Sequence, residues 1–364
     1  MITRRRFIAA ATTCLAGAAE ILRGAVGQKR MGLVVHSYWK RWQGKHSSIN
    51  YPPFVDALDV LDHCREIGAG GLQIGVDGWT SDFAGKVRDT RESYDLYLEG
   101  SIALPKNEGD VARFDKAIRT GKEAGATVFR SAAGGRRYEL FSRLEDFKAF
   151  KERAWRSMQL AASVVQRHGV KISIENHKDF QAAELADMLS KLSSEHVGCC
   201  IDTGNSIALL EDPLTTVETL APFVVTTHVK DMAVQAADDG FLLSEVPLGE
   251  GILDLPRLIQ TIEKVVSSVT LNLEMITRDP LHIACLTDKY WATFPDKPGR
   301  QLAAMLTTVK KRGSAKLPSV SDKSAEAALA YEEENILKSL RYGGEKLGLS
   351  YLQIQKPIND KDEK

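Results

Sequence analysis

The chain has 364 residues, of which 43% are hydrophobic and 26% are charged, a composition typical of globular proteins with enough apolar material for a sizeable core. Its 48 basic and 48 acidic residues balance, so no basic excess indicates nucleic acid as a partner and no acidic excess indicates a solvating tail. An uncharged partner, or one that is bound by local groups, fits this composition better.

The first thirty residues differ from the rest of the chain. Three arginines, Arg4 to Arg6, precede a short apolar run from Phe7 to about Ala19, which is too short to span a bilayer comfortably. This pattern is typical of a twin-arginine export signal, and an amphipathic N-terminus without that role is the alternative. The sequence therefore predicts an export signal over residues 1–30 and a periplasmic location.

Replacing both Arg4 and Arg5 by Lys tests this signal. We expect the double variant to remain in the cytoplasm, because the export receptor reads the guanidinium pair and not positive charge alone. Cell fractionation followed by immunoblotting measures the distribution. Unchanged export of the variant would mean that another pathway carries the protein.

Beyond residue 30, short apolar runs alternate with segments whose apolar residues recur at helical spacing. The first helical segment, FVDALDVLDHCREIGAG, ends at glycines, as helices often do. Eight apolar runs are predicted to be strands, at residues 31–39, 71–79, 94–105, 127–135, 170–177, 197–205, 223–231 and 269–276. After the seventh of them, a long loop is expected before the helical segment LPRLIQTIEKVV.

Eight strands, each followed by a helical pattern over about 280 residues, have the expected size of a (β/α)8 TIM barrel. A doubly wound open sheet is the alternative, but no glycine-rich phosphate-binding pattern follows the first strand. From residue 314 the sequence predicts a Ser/Lys/Pro linker, then a helix rich in Ala, Glu and Leu, and then a polar tail that is expected to be disordered. We therefore expect an α/β fold with a TIM barrel over 31–313 and a C-terminal helical extension over 314–364, which packs on the barrel or on a partner subunit.

Polar residues stand at the carboxyl ends of the last four predicted strands. Glu175, Asp202, His228 and Glu274 end the apolar runs ISIE, CCID, VTTH and LNLE. In a TIM barrel these ends share one rim, so the four side chains should lie close together. Three clustered carboxylates would repel one another without a cation, and three oxygen donors with one imidazole suit Mn²⁺, Mg²⁺, Co²⁺ or Zn²⁺. The pattern predicts one divalent metal ion, although each residue alone is more often a local cap or ion-pair partner.

These residues lie in the motifs IENH, IDTGN, THVKD, PLGEG and LNLE, in that order. With them the chain resembles the xylose-isomerase-like TIM barrels, a family that includes sugar phosphate isomerases and epimerases, over about residues 30 to 312. The resemblance implies that Glu175, Asp202, His228 and Glu274 bind the metal, and that Glu175 and Glu274 also act as base and acid. The implied reaction removes a proton beside a polarised carbonyl and gives an enediolate held on the metal.

Five further residues are predicted to contact the substrate: His177, Lys230, His36, Arg130 and Asn205. His177 lies two residues beyond Glu175, on the same face of an extended chain. His36 and Arg130 lie near strand ends and could bind sugar hydroxyls or an anion. Lys230 follows from the resemblance, whereas Asn205 stands where many relatives have His. Strand-end residues Gln73 and Glu99 are secondary candidates, Asp231 is expected to orient a neighbouring group, and the PLGEG loop is expected to cover the pocket.

The leading hypothesis is a divalent-metal-dependent sugar isomerase or epimerase that acts on a free sugar or keto-sugar. The alternatives are a metal-dependent lyase or hydrolase of 3-keto-glycosides and a non-catalytic carbohydrate-binding barrel. A binding protein could do without one of the two glutamates, so the presence of both favours an enzyme. The expected partner is a small-molecule carbohydrate and not a nucleic acid. No membrane span is expected after signal removal, and formation of a homo-oligomer is left open.

Overall fold

The computed structural model describes residues 29–350. Nearly all of the predicted export signal, and the end of the polar tail, lie outside these residues. No helix between residues 29 and 350 combines the length and the apolar character that crossing a bilayer requires.

Eight parallel strands close into a barrel, which confirms the predicted TIM barrel. The described residues form eleven strands: β1 (Gly32–Val34), β2 (Gly71–Gly75), β3 (Tyr97–Ser101), β4 (Val128–Ser131), β5 (Lys171–Glu175), β6 (Val197–Asp202), β7 (Val224–Val229), β8 (Asp231–Ala237), β9 (Gly240–Val246), β10 (Thr270–Leu273) and β11 (Leu281–Ile283). The barrel runs from β1 through β7 in sequence order, and β10 then joins β7 to β1. In the register, Asp202 of β6 and Asn272 of β10 lie on either side of His228 in β7.

Helices connect the strands in the manner of this fold. The described residues contain eleven α-helices: α1 (Ala57–Glu66), α2 (Ser81–Ser93), α3 (Val111–Glu123), α4 (Arg137–Leu140), α5 (Leu144–His168), α6 (Ala182–Leu192), α7 (Pro213–Leu220), α8 (Leu255–Glu263), α9 (Asp288–Trp291), α10 (Gly299–Arg312) and α11 (Ala325–Lys346). Apolar strand residues such as Leu72 and Ile172 share one core with helix residues such as Val60 and Phe114. The polar residues at the carboxyl ends of the strands are not part of this core and lie at one rim of the barrel.

A small antiparallel sheet occupies most of the segment that was expected to be a long loop, so that expectation is wrong. β8 and β9 form a hairpin whose two-residue connection is Asp238–Asp239, and β11 pairs with the outer side of β9. The signal for it was the Asp-Gly step at Asp239–Gly240 with apolar residues on both sides, because such steps favour tight hairpin turns. The hairpin leaves the barrel after β7 and returns to the rim at Glu245.

Helix α11 packs against the barrel of its own chain and joins three rim loops. Lys40 N donates to Glu332 Oε1 at 2.8 Å, and Leu248 N donates to Ser339 Oγ at 3.2 Å. Asn335 Nδ2 donates to Thr277 Oγ1 at 3.0 Å. The loops that follow β1, β9 and β10 are therefore all bound to this one helix.

Glu333 should be the most important polar anchor of α11. It pairs with Arg41, at 2.9 Å, and its side chain and that of Arg41 are only 14% and 4% exposed. Removing one member leaves the other charge buried and unpaired, so Glu333→Ala is expected to lower the free energy of unfolding by about 3 kcal/mol. Urea denaturation measures this change. The control is Glu334→Ala, because Glu334 is exposed and its pair with Lys338 should contribute less than about 0.5 kcal/mol; equal losses in the two variants would contradict the assignment.

Candidate metal centre

Four potential ligands converge at the carboxyl ends of neighbouring barrel strands. Glu175 ends β5, Asp202 ends β6, His228 belongs to β7 and Glu274 directly follows β10. One ligand atom from each residue lies within 4.8 Å of the others, and all four residues are buried. The structure therefore brings together the four residues that the sequence predicts as metal ligands, and we refer to them as the quartet.

The hydrogen bonding of His228 leaves one ring nitrogen directed at the carboxylates. Nε2 lies 2.7 Å from Gln73 Oε1, and because an amide oxygen only accepts, Nε2 carries the proton. Nδ1 is buried with no hydrogen-bond partner among residues 29–350, at 3.5 Å from Glu175 Oε2 and 3.4 Å from Glu274 Oε2. A buried nitrogen between two carboxylates, without another partner, fits a cation bound among the three groups.

A proton competes with a cation for this nitrogen. Burial lowers the pKa of His228, but the neighbouring Cys200, Glu274 and Glu175 outweigh burial and raise that pKa well above its usual range. Metal binding at the quartet must therefore displace a proton from the imidazole wherever His228 is charged.

A layer of hydrogen-bonded side chains inside the barrel fixes Gln73 beneath His228. Glu99 accepts hydrogen bonds from Gln73 Nε2 at 2.9 Å, from Thr226 Oγ1 at 2.9 Å and from Asn272 Nδ2 at 3.1 Å. Burial raises the pKa of Glu99 even though the bonds from Gln73 and Thr226 oppose the shift. Gln73 and Glu99, the secondary candidates, thus lie below the quartet, where they orient His228.

Replacing Gln73 by Met tests this role. The variant keeps a similar side-chain length but removes the acceptor for Nε2, so we expect metal affinity to fall roughly 10- to 100-fold, the usual effect of losing such a partner. Titration against a chromophoric chelator measures the affinity. Gln260→Met, at an exposed position of α8, is the control and should leave affinity unchanged; an unchanged affinity in Gln73→Met would mean that the ring needs no such support.

Two buried cations pair with the carboxylates of the quartet. Arg130 donates from Nε and Nη2 to Glu175 Oε2, the first bond being 2.6 Å long. Lys230 Nζ lies 2.9 Å from Asp202 Oδ2 and 2.6 Å from Glu274 Oε2. Burial raises the pKa of each glutamate, but the neighbouring cations outweigh it and hold both pKa values well below the usual range. Both glutamates are therefore ionised, which is the form that binds a metal ion.

The other predicted substrate-binding residues also border the quartet. Asn205 Nδ2 donates to Glu175 Oε1 at 2.9 Å, and His36 Nδ1 lies 3.6 Å from Glu274 Oε1. His177 has a buried Nδ1 with no hydrogen-bond partner in the described part of the chain, and burial lowers its pKa to about 3. A neutral imidazole with a free nitrogen is therefore available beside Glu175, and the substrate contacts of all these residues stay predictions.

Three charged residues at this site were not singled out from the sequence, namely Glu245, Arg278 and Lys178. Glu245 reaches it on β9, where Oε1 lies 2.7 Å from Arg278 Nη2 and 3.6 Å from Lys230 Nζ. Only recognition of the hairpin could have placed Glu245 there. Lys178 is buried next to Asn205, although a lysine in a loop would ordinarily be expected in solvent.

Asp231 fixes the PLGEG loop at the rim. Its Oδ2 accepts hydrogen bonds from the backbone N–H groups of Gly249 and Gly251, both at 3.0 Å, and Oδ1 accepts from Leu253 N at 3.1 Å. A Cβ atom on Gly251 would lie 2.1 Å from Asp231 Oδ1, so only glycine fits this contact. The neighbouring group that Asp231 orients is thus a backbone loop and not another side chain.

Comparison with known proteins gives a family, a curated relative and several similar structures. The family model for xylose isomerase-like TIM barrels matches residues 61–302. The 3-oxo-isoapionate decarboxylase of Pectobacterium atrosepticum is 31% identical over 99 residues, which is 27% of this chain and 36% of that protein. The aligned part thus spans about a third of that relative's length.

Two solved structures illustrate the likeness of the fold. The D-psicose 3-epimerase of Clostridium cellulolyticum, solved with D-tagatose, has a TM-score of 0.53 at 12% identity and covers 84% of this chain and 99% of its own. A xylose isomerase-like protein of Mycobacterium smegmatis, solved with magnesium, has a TM-score of 0.53 at 13% identity and covers 76% and 98%. Because the family model matches well over half of the chain and the barrel agrees with it, the protein belongs to the xylose isomerase-like TIM barrel family.

Proposed function

We propose that the protein is a divalent-metal-dependent enzyme that forms an enediolate from a carbohydrate with neighbouring carbonyl and hydroxyl groups, and that it isomerises or epimerises a free sugar or keto-sugar. The observation that carries this proposal is the quartet, in which Nδ1 of His228 is buried between two carboxylates without a hydrogen-bond partner among residues 29–350. The epimerase among the structural neighbours supports the reaction class.

The two glutamates of the quartet differ in how free their oxygens are. A bound divalent cation would polarise the substrate carbonyl and so acidify the adjacent C–H bond. Glu274 Oε1 accepts no hydrogen bond from residues 29–350, and His36 Nδ1 lies 3.6 Å from it, so this oxygen is free to take a proton. Glu175 has both oxygens engaged, because Asn205 donates to Oε1 and Arg130 donates twice to Oε2. We therefore assign the main proton transfer to Glu274, and we infer that Glu175 acts chiefly as a metal ligand.

A second candidate is a lyase, including a decarboxylase or an enzyme that cleaves 3-keto-glycosides. Epimerisation by two carboxylates needs two free proton carriers, whereas the oxygens of Glu175 are occupied. In decarboxylation the bond to the carboxyl carbon breaks, CO₂ leaves and the electron pair forms the enolate, so one proton donor is enough. The 31% identity to a 3-oxo-isoapionate decarboxylase supports this alternative over the aligned quarter of the chain.

NMR spectroscopy in D₂O separates these candidates. The metal-loaded protein, with Mg²⁺ because it is diamagnetic, is incubated with ketoses, 3-keto-glycosides and 3-oxo sugar acids. Replacement of one substrate C–H by deuterium, with an isomer or epimer as product, supports the leading proposal. Release of CO₂ or of an aglycone supports the lyase. Ligand binding without either reaction would contradict both and leave a carbohydrate-binding barrel.

A further inference from the structure

Lys178 is a buried cation that lacks a counter-ion. Its residue is 3% exposed, and within residues 29–350 no carboxylate lies within 4.0 Å of its ammonium group. By contrast, Lys230, Arg130 and Arg278 each pair with a glutamate or aspartate at the same site. The Lys178 ammonium donates instead to the neutral side-chain oxygen of Asn205.

The ammonium of Lys178 lies one side chain away from the quartet. Asn205 accepts from Lys178 through Oδ1 and donates through Nδ2 to Glu175 Oε1, at 2.9 Å. Burial lowers the pKa of Lys178 to about 8, and the charged groups that also shift this pKa belong to the same site, namely Lys230, Glu245, Asp202 and Arg278. A ligand bound at the quartet would thus lie close to this cation.

A buried charge without a partner is costly, and a bound anion would remove that cost. Four backbone donors near this site that could hold a phosphate are already used. Gln181 N and Ala182 N, at the start of α6, donate to Glu184 and Glu211, and the N–H groups of Gly204 and Asn205 donate to Asp202 Oδ1. One ammonium group without a surrounding nest of N–H groups suits a singly charged carboxylate better than a phosphate.

We propose that the substrate of this site is a sugar acid whose carboxylate pairs with Lys178 Nζ while its carbonyl end reaches the quartet. This inference rests on the proposed function, since it takes the quartet as the place where the substrate reacts. Because the side chain of Asn205 is neutral, it leaves the charge of Lys178 uncompensated. A carboxylate at position 205 would neutralise that charge.

Calorimetric titration of the Mg²⁺-loaded full chain tests the proposal with three matched ligands: D-fructuronate, D-fructose and D-fructose 6-phosphate. We expect the wild-type chain to bind D-fructuronate at least about 10-fold more tightly than D-fructose, the effect of one charge-assisted bond. In Lys178→Met this preference should disappear, while the affinities for Mg²⁺ and for D-fructose stay within about 2-fold. Lys191→Met, at an exposed position of α6, is the matched control and should keep the preference.

Equal wild-type affinities for D-fructuronate and D-fructose would overturn the proposal, as would a preference that survives in Lys178→Met. Tighter binding of the phosphate than of the carboxylate would also overturn it. The wild-type comparison does not depend on any variant folding. Failure of the proposed function has a different signature, because the wild-type chain would then bind no Mg²⁺ or turn over none of the substrates in D₂O.

Discussion

Purified protein is expected to bind about one divalent ion per chain, and His228→Ala is expected to lose it. Loss of a partner that merely orients a ligand weakens metal affinity roughly 10- to 100-fold, so loss of the imidazole itself should cost at least that much. In the wild-type chain, Nδ1 of His228 lies 3.5 Å from Glu175 Oε2 and 3.4 Å from Glu274 Oε2. The alanine removes this imidazole and leaves the two carboxylates facing each other. Metal analysis after gel filtration, together with chelator competition, measures both occupancy and affinity.

His282→Ala is the control for this experiment. His282 is half exposed on β11, where it pairs with Asp239, and it has no part in the quartet. This variant should bind metal like the wild-type chain. Full occupancy in His228→Ala, or none in the wild-type chain, would show that the quartet does not bind a metal ion.

The second large effect is expected from Glu274→Gln. Glutamine keeps the shape and one oxygen donor of glutamate but cannot take up a proton at neutral pH. Turnover should therefore fall by roughly 100-fold or more, the scale of losing a general acid or base, while part of the metal and substrate affinity remains. Steady-state kinetics on the substrate found by NMR measures this as a loss in kcat with a smaller change in KM.

Glu175→Gln should behave differently, because both oxygens of Glu175 already accept hydrogen bonds. The amide NH₂ of glutamine must face either Arg130 or the Nδ2 group of Asn205, and both are donors. We expect this variant to lose metal affinity at least as strongly as turnover. If Glu274→Gln retains near-normal turnover, proton transfer lies elsewhere, and His177, whose Nδ1 has no hydrogen-bond partner among residues 29–350, becomes the residue to test.

The sequence carries most of the information that places the quartet. Glu175, Asp202 and His228 end successive apolar runs about one βα unit apart, and a barrel puts such ends on one rim. Glu274 follows the same rule after a longer interval. The rule works because buried strands are mostly apolar, so a charged residue at the tip of one stands out.

Other parts of the site could not be predicted in this way because they depend on tertiary packing. Glu245 comes to the rim on a hairpin outside the barrel strands, so the strand-end rule does not apply to it. Lys178 is buried only because the loop after β5 folds inward to Asn205. The docking of α11 through Glu333 depends on Arg41, almost 300 residues away in sequence, and no local pattern marks such a pair.

Anomalous X-ray scattering from crystals grown with Mn²⁺ tests the central claim most directly. The account predicts one strong peak at the manganese edge among the oxygens of Glu175, Asp202 and Glu274 and Nδ1 of His228, at about 2.0–2.2 Å from each ligand atom. The account would be contradicted if no peak appeared at this position. In that case His228 would still lie between the two glutamates, and the carboxylates would pair only with Arg130 and Lys230.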